Sequence, residues 1–423
     1  MKRAFIILCA SLFVASTAVL AGCDSTTPDD STAGIVALAS EMTLEELEAA
    51  SEAEMEASTD TFKVVGLTST LSRAVQKMAL EYDWITTGEG GNTYVNNSYK
   101  DYALLTALEQ ADDSYFADFA LVQDARSLAD YLEEGITINY VPSDYAELGL
   151  AEEDTYPLKG LYFNKIFFSN KDLNVDLHNV WQLAGSPDDE DHLDNLSFQS
   201  PITEQINMSF ILSLYDEANE ARLLDAYESY YGEEWEASDD YTTVADQFVH
   251  EFISNISRWH TSDGTAMKDT QANEVPVEGQ DPFVYYGAFA KMKDAAGTGT
   301  MDSVKWDHEI EGFNGFMYAM YSQVVKNAKH PYTACLFARY FLTPDCYEYV
   351  IYNSSTPNSL GEAANMYGYY YPAASETVGV NDLDWSKAEW IDASINEDFN
   401  FLKTIKAAQV NSILALVASN KKA

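Results

Sequence analysis

The sequence has few cysteines and few basic residues. Among 423 residues there are only four Cys, and 24 Lys or Arg stand against 68 Asp or Glu, which gives a formal net charge of −44. A protein this acidic repels phosphate backbones, so nucleic acid is not expected as a partner. The hydrophobic share of 47% still supplies enough apolar material for a packed core, and the length favours two lobes over one.

The placement of the cysteines leaves one question open. Cys9 and Cys23 lie near the N-terminus, whereas Cys335 and Cys346 lie close together far along the chain. In an exported protein this second pair could form a disulfide or remain as two buried thiols, and the sequence favours neither. Neither residue has the close second cysteine that is typical of a zinc site.

Signatures of catalysis are also missing. The patterns GxSxG, HExxH and GxxxxGK[ST] do not occur, and the six His residues lack metal-ligand spacing. The run Asp307-x-Glu309-x-Glu311 has the paired carboxylates of a glycosidase, but 68 acidic residues produce such pairs by chance. We therefore expect neither an enzyme nor a cofactor.

One long apolar run is present, from Ala4 to Leu20, between the basic start Met1-Lys2-Arg3 and the residues Ala21-Gly22-Cys23. It predicts a secretory signal peptide over residues 1–22. The cysteine directly after it resembles the lipobox of bacterial lipoproteins. That resemblance implies cleavage before Cys23, acylation of its sulfur, and a lipid anchor on the outer face of the cytoplasmic membrane or in the periplasm. An ordinary signal peptide or a single transmembrane helix is the alternative, although the run is short for a span.

Residues 23–60 are acidic throughout. From Asp24 to Asp60 there are eleven acidic residues and no basic one, a composition that predicts a self-repelling, flexible tether. Within it, Thr43-Leu44-Glu45-Glu46 is a capping-box pattern, which allows a short helix over Leu44 to Glu56. Its apolar face is too thin to predict packing against a core.

Strands then alternate with helices. Phe62 to Leu67 is an apolar strand followed by helix-capping residues, and Phe119 to Val122 repeats the pattern. Further on, the apolar stripe from Val244 to Trp259 predicts one helix over residues 243–259. This alternation predicts an α/β fold with mostly parallel sheets.

The order of these segments resembles the extracellular solute-binding proteins of bacterial ABC importers, the periplasmic-binding-protein-like superfamily of type II. The stretches that carry the resemblance are Asp118–Asp124, Gly160–Lys165, Asn179–Leu183, Ser200–Phe210, Glu311–Phe316, Val324–Pro331 and Phe341–Asp345. The resemblance implies two lobes, each a mostly parallel sheet flanked by helices, with the ligand cleft between them. It assigns residues 61–160 to lobe 1, 161–309 to lobe 2, 310–345 to a return segment of lobe 1, and 346–423 mainly to a helical tail on lobe 2.

Polar residues at strand ends are the candidate ligand contacts, because ligands in open α/β sheets bind at the carboxyl ends of strands. Each of these residues could also act only as a helix cap. Two aromatic residues join the set, Trp306 as a possible stacking platform and Phe313 at the return crossing. The candidates are Thr68, Ser69, Thr70, Gln123, Asp124, Thr203, Glu204, Gln205, Trp306, Phe313 and Asn314.

The predicted function is that of a lipid-anchored, monomeric receptor that closes on a small polar organic solute and delivers it to an ABC permease. A carbohydrate is the preferred solute. A receptor for ferric ion or a polyamine is the first alternative, because ferric-ion members of the superfamily use paired tyrosines and this chain has Tyr230-Tyr231 and Tyr285-Tyr286. A surface lipoprotein with a hydrolase or adhesive role is the second.

Overall fold

The computed structural model of the protein describes residues 29–68, 70–99, 101–111, 114–272, 282–291, 304–351, 370–374 and 385–420. The helices are α1 (Thr32–Ala39), α2 (Leu44–Ala57), α3 (Thr70–Glu81), α4 (Asp101–Ala111), α5 (Ala125–Glu133), α6 (Gln205–Ser213), α7 (Glu217–Tyr231), α8 (Val244–Asn255), α9 (Asp263–Ala272), α10 (Pro331–Tyr340), α11 (Pro344–Ile351), α12 (Lys387–Ala393), α13 (Phe399–Leu402) and α14 (Ala407–Ser419). The strands are β1 (Phe62–Gly66), β2 (Thr93–Asn96), β3 (Phe119–Val122), β4 (Thr137–Ile138), β5 (Lys159–Asn170), β6 (Leu196–Gln199), β7 (Ile256–His260), β8 (Val284–Ala288), β9 (Val304–Lys305), β10 (Gly315–Val325), β11 (Tyr370–Pro372) and β12 (Ile395–Asn396).

The strands form one sheet in the order β2-β1-β3-β10-β5-β8-β6-β7. At one end β2, β1 and β3 are parallel, and at the other end β8, β6 and β7 are parallel. We call these two halves, with their helices, lobe 1 and lobe 2. Between them β10 and β5 run antiparallel to each other and carry the chain across in both directions. Each lobe is therefore mostly parallel, and its sheet includes one antiparallel crossing strand.

The two crossing strands are long and buried. β5 has 12 residues and β10 has 11, and every residue of β10 is buried. A strand covered on both faces is apolar without alternation, and the unbroken apolar run over residues 316–321 of β10 has this pattern.

Aromatic rings dominate both cores. In lobe 2 the ring of Tyr286 stacks on that of Phe198 at a centroid distance of 5.0 Å and on that of Phe210 at 4.9 Å. In lobe 1 the ring of Phe119 meets that of Phe337 edge-on at 4.8 Å. Such pairs add about 0.5–1.5 kcal/mol each beyond the area they bury. The helices are thus fixed on their sheets by specific ring contacts.

The two N-terminal helices pack on lobe 1. The capping box predicted at Thr43 is present, and α2 lies along α10 with Leu47 and Met55 buried. The Glu54 carboxylate accepts hydrogen bonds from the backbone N–H groups of Tyr332 (3.1 Å) and Thr333 (2.9 Å), and so caps the first turn of α10. The prediction of a flexible tether over residues 23–60 is therefore wrong for α1 and α2. The buried stripe of α2 is only one residue wide, but it is enough to hold the helix because it packs against α10.

Cys335 and Cys346 are free, buried thiols, so the disulfide does not form. Burial raises the pKa of both thiols, which leaves them unreactive. Cys346 belongs to α11, which packs on α3 in lobe 1, whereas α14 packs on α8 in lobe 2. The C-terminal region expected mainly on lobe 2 thus contacts both lobes.

The Glu54 cap gives a stability prediction. In Glu54→Ala the N–H groups at the start of α10 lose their acceptor, and we expect a loss of about 1–2 kcal/mol in the free energy of unfolding, measured by urea denaturation. Glu52→Ala, an exposed position on the same helix, should change stability by less than about 0.5 kcal/mol. Equal effects of the two substitutions would contradict the capping role.

Candidate functional site

The carboxyl ends of the lobe 1 strands lead directly into helix starts. After β1, the Thr68 hydroxyl oxygen accepts hydrogen bonds from the Thr70 backbone N–H (3.3 Å) and the Thr70 hydroxyl (3.1 Å). Ser69 lies outside the described residues. After β3, the Asp124 carboxylate caps α5, since it accepts from the Arg126 N–H (3.2 Å) and the Ser127 hydroxyl (2.6 Å). The structure therefore shows the helix-start contacts that the sequence offered as the alternative to ligand binding.

The lobe 2 candidates surround the start of α6. The Thr203 hydroxyl donates to the Ser200 carbonyl at 3.2 Å and its side chain is exposed. Glu204 stands at the N-cap position without capping the helix, and its carboxylate accepts from the Gln199 amide at 3.3 Å. The N-terminal N–H groups of α6 therefore have no side-chain cap from this residue.

One hydrogen bond joins the two lobes at these helix starts. Arg126 Nη2, in the first turn of α5, donates to Gln205 Oε1, in the first turn of α6, at 2.8 Å. Gln123 and Asp124, both buried, precede Arg126. Candidates from both lobes, Asp124 and Gln205, are thus brought to one place through Arg126. The sequence analysis did not name Arg126, although it follows a predicted strand end by only four residues.

A second strand end in lobe 2 was missed. The helix predicted over residues 243–259 is wrong beyond Asn255, because Ile256–His260 forms β7. Asp263 begins the next helix, and its carboxylate lies 3.3 Å from the ammonium of the buried Lys165 on β5. Burial lowers the pKa of the nearby His260 to about 4, so its imidazole is neutral at pH 7. The residues Thr261-Ser262-Asp263 after β7 repeat the polar pattern that marked the other strand ends.

A buried carboxyl lies at the crossing strands. β12 pairs with β10, and Glu397 directly after it accepts hydrogen bonds through Oε2 from the Tyr321 hydroxyl (2.8 Å) and the Ala319 N–H (3.3 Å). Burial, with a smaller contribution from the charge of Asp124, raises its pKa to about 8. The following helix α13 packs against both α5 and α6. Glu397 therefore lies beside the place where the lobes meet.

The remaining candidates have packing roles. Phe313 is buried in lobe 2, with its ring centroid 5.7 Å from that of Phe210. The Asn314 side-chain oxygen accepts from the Ile310 N–H at 3.0 Å, and the Asn314 backbone N–H donates to the Ala393 carbonyl at 2.9 Å. Trp306 packs edge-on against Phe289 at 5.2 Å. These contacts account for the three side chains without a ligand.

The two adjacent tyrosine pairs also have local partners. Tyr285 and Tyr286 are buried, and burial raises the pKa of the Tyr285 phenol to about 12 and that of Tyr286 well above its ordinary value. Tyr230 and Tyr231 donate to carboxylates of the loop near residue 190, at 2.9 and 3.2 Å. The burial of one pair and the carboxylate partners of the other do not favour either pair as a ferric-iron site. In the part of the chain that the structure describes, no group of three His, Cys, Asp or Glu side chains could hold a metal ion.

Comparison with solved structures identifies the architecture. The chain superposes on iron-bound HitA from Pseudomonas aeruginosa with a TM-score of 0.57 at 12% identity, over 86% of this chain and 99% of that one. Apo ferric ion-binding protein A from Pasteurella haemolytica gives 0.57 at 10% identity, over 86% and 98%. An ABC transporter substrate-binding protein from Bradyrhizobium japonicum gives 0.54 at 12%, over 85% and 99%.

The fold is that of a periplasmic binding protein. Neither the family models nor the curated proteins give a match to the sequence. The two-lobed α/β periplasmic-binding-protein fold expected from the order of segments is thus confirmed by structure. By their names, two of these neighbours are a ferric ion-binding protein and a substrate-binding protein of an ABC transporter. Among the described residues, no helix is both long and apolar enough to span a bilayer.

The buried Glu397 predicts a pH dependence of stability in this periplasmic-binding-protein fold. Its folded pKa of about 8 lies above its ordinary value of 4.5, so between these pH values the native state holds a proton that the unfolded chain has lost. The free energy of unfolding should therefore fall as pH rises through this window, by up to about 1.4 kcal/mol per pH unit.

Glu397→Gln should remove this part of the slope, measured by urea unfolding at half-unit steps from pH 5 to pH 8.5. Burial also raises the pKa of Glu251 to about 7, but that group is unchanged in both proteins and cancels in the comparison. The exposed substitution Glu41→Gln is the matched control. A Glu397→Gln slope that matches the parent slope would refute the assignment.

Proposed function

We propose that this protein is the solute receptor of an ABC importer, which closes its two lobes on a small solute and delivers it to a membrane permease. The observation that carries this proposal is the periplasmic-binding-protein fold with its lobes in contact at the Arg126–Gln205 hydrogen bond (2.8 Å). Two helix starts face each other there, one from each lobe. A solute bound between them would favour the closed form over the open one by its differential affinity.

Ferric iron is the solute that we favour, ahead of a carbohydrate. Two of the three structures compared above are named for iron, and a net charge of −44 attracts cations. Support for a carbohydrate is weaker because Trp306 and Phe313 pack within ring clusters. A polyamine, also cationic, remains the second candidate.

The oxygen atoms at the crossing strands suit a hard cation. Glu397 and Tyr321 are in hydrogen-bond contact, and Asp124 lies close enough to raise the pKa of Glu397. Among the described residues, Glu397 Oε1 is buried and receives no hydrogen bond. Carboxylate and phenolate oxygens are the atoms that ferric iron prefers. We therefore assign Glu397, Tyr321 and Asp124 as the first residues to test, and expect iron to displace the protons of the first two.

The test is a titration of the purified protein with ferric nitrilotriacetate at pH 7. Binding through Tyr321 should produce a visible phenolate-to-iron absorption band and release protons. Tyr321→Phe should abolish the band, and Glu397→Gln should weaken binding at least about tenfold. Tyr230→Phe, which removes a hydroxyl that donates to Asp191 in lobe 2, is the matched control and should leave both unchanged. Either the absence of the band or a band that is unchanged in Tyr321→Phe would exclude iron binding at this site.

A thermal-shift screen with sugars, polyamines and amino acids then tests the wider receptor proposal. A ligand at 100 times its dissociation constant should stabilise the protein by about 2.7 kcal/mol. If neither iron nor any of these classes stabilises the protein, the receptor proposal fails.

We also propose the lipid anchor at Cys23, which lies outside the described residues together with the signal peptide over residues 1–22. Its support is the sequence Leu20-Ala21-Gly22-Cys23. The full precursor expressed in a bacterium should partition into the membrane fraction, and Cys23→Ser should move it to the soluble exported fraction. Cys9→Ser should leave the partition unchanged. Equal partition of the Cys23→Ser and parent proteins would exclude acylation at this residue.

A further inference from the structure

A cavity at the outer edge of lobe 1 lies away from the meeting point of the lobes. It has a volume of about 420 Å³ and is lined by Lys63, Val65, Tyr94, Asn96, Tyr99, Tyr115 and Phe116. Its floor is one face of β1 and of the edge strand β2, on which residues 63 and 65 pair with residues 94 and 96. The volume is within the range of small-molecule sites.

The walls are aromatic and largely preformed. The ring of Tyr99 meets that of Phe116 edge-on at 5.9 Å. The Tyr115 hydroxyl donates to the Asp118 carboxylate (2.8 Å), which fixes that ring. Tyr94 is 51% exposed on the edge strand, which is unusual for so large a side chain. Aromatic faces of this kind receive flat, apolar ligand bodies.

The polar side of the cavity offers hydrogen-bond donors. The Lys63 ammonium lies 4.8 Å from the centre of the Tyr115 ring. Among the described residues it forms no ion pair, although its positive charge contributes to lowering the pKa of the Asp60 carboxyl. Lys329 lies over the same ring but is paired with Asp60 at 2.8 Å. The Asn96 side-chain oxygen already accepts from the Ser98 N–H (3.0 Å), so its amide N–H groups remain to donate.

We propose that this cavity is a second ligand site that takes a small aromatic carboxylate. The rings receive the aromatic body, and Lys63 with Asn96 receives the carboxylate, an acceptor-only group that matches a set of donors with one positive charge. A sugar fits less well, since its hydroxyls need acceptors as well as donors. The site is independent of the solute bound between the lobes.

The test uses 4-hydroxybenzoate as the probe, with binding followed by ligand-observed NMR and protein chemical shifts. We expect saturable binding with a dissociation constant in the millimolar range or below. Lys63→Met should weaken it at least about tenfold, whereas Lys171→Met, which removes an exposed charge on lobe 2, should not. The uncharged 4-hydroxybenzamide should bind the parent protein at least about tenfold more weakly.

Tyr94→Ala provides a second route, because this exposed residue can be removed without disturbing the core, and it should also weaken binding. No saturable binding up to about 20 mM would overturn the proposal. So would binding that survives both Lys63→Met and Tyr94→Ala, or equal affinity for the acid and the amide. The last comparison needs no variant, so it decides the point even if Lys63→Met does not fold.

Discussion

The antiparallel pairing of β5 with β10 is the constraint on which the rest of the molecule depends. These two strands are the common members of both lobes, and their register runs from Gly315 opposite Ile166 to Tyr321 opposite Lys159. At Gly315 a Cβ atom would collide with the Lys165 carbonyl oxygen, so only glycine allows the strands to approach there. Because each lobe is built outward from one of these strands, a shift of their register would move both sets of strand ends.

Burial of polar groups at this pairing has an energetic cost that the structure offsets in two ways. Lys165 is compensated by the Asp263 carboxylate at 3.3 Å, a buried pair whose removal on one side would leave an unpaired charge. Glu397 is compensated by holding a proton, as its pKa of about 8 indicates, and by the hydrogen bond from Tyr321. Buried ionisable groups of this kind are frequent in functional sites, although structural ion-pair networks contain them as well.

The sequence was sufficient for the fold class and for the strand ends that follow a simple rule of apolar run and polar cap, such as Asp124. It failed where local pattern and tertiary structure disagree. The stripe of Phe248, Phe252 and Ile256 keeps helical spacing across the end of α8, so β7 was taken for helix and Asp263 was overlooked. Glu397 could not be found because its partner Tyr321 is 76 residues away, a separation that no local pattern reports.

The packing of α1 and α2 on lobe 1 also limits how far the folded protein could lie from a bilayer. Only eight residues lie between Cys23 and Thr32, and a fully extended chain of that length spans about 30 Å. If Cys23 is acylated, the linker between the lipid and lobe 1 is short. Rotation above the lipid surface would then be restricted, and lobe 1 would lie nearer the lipid than lobe 2.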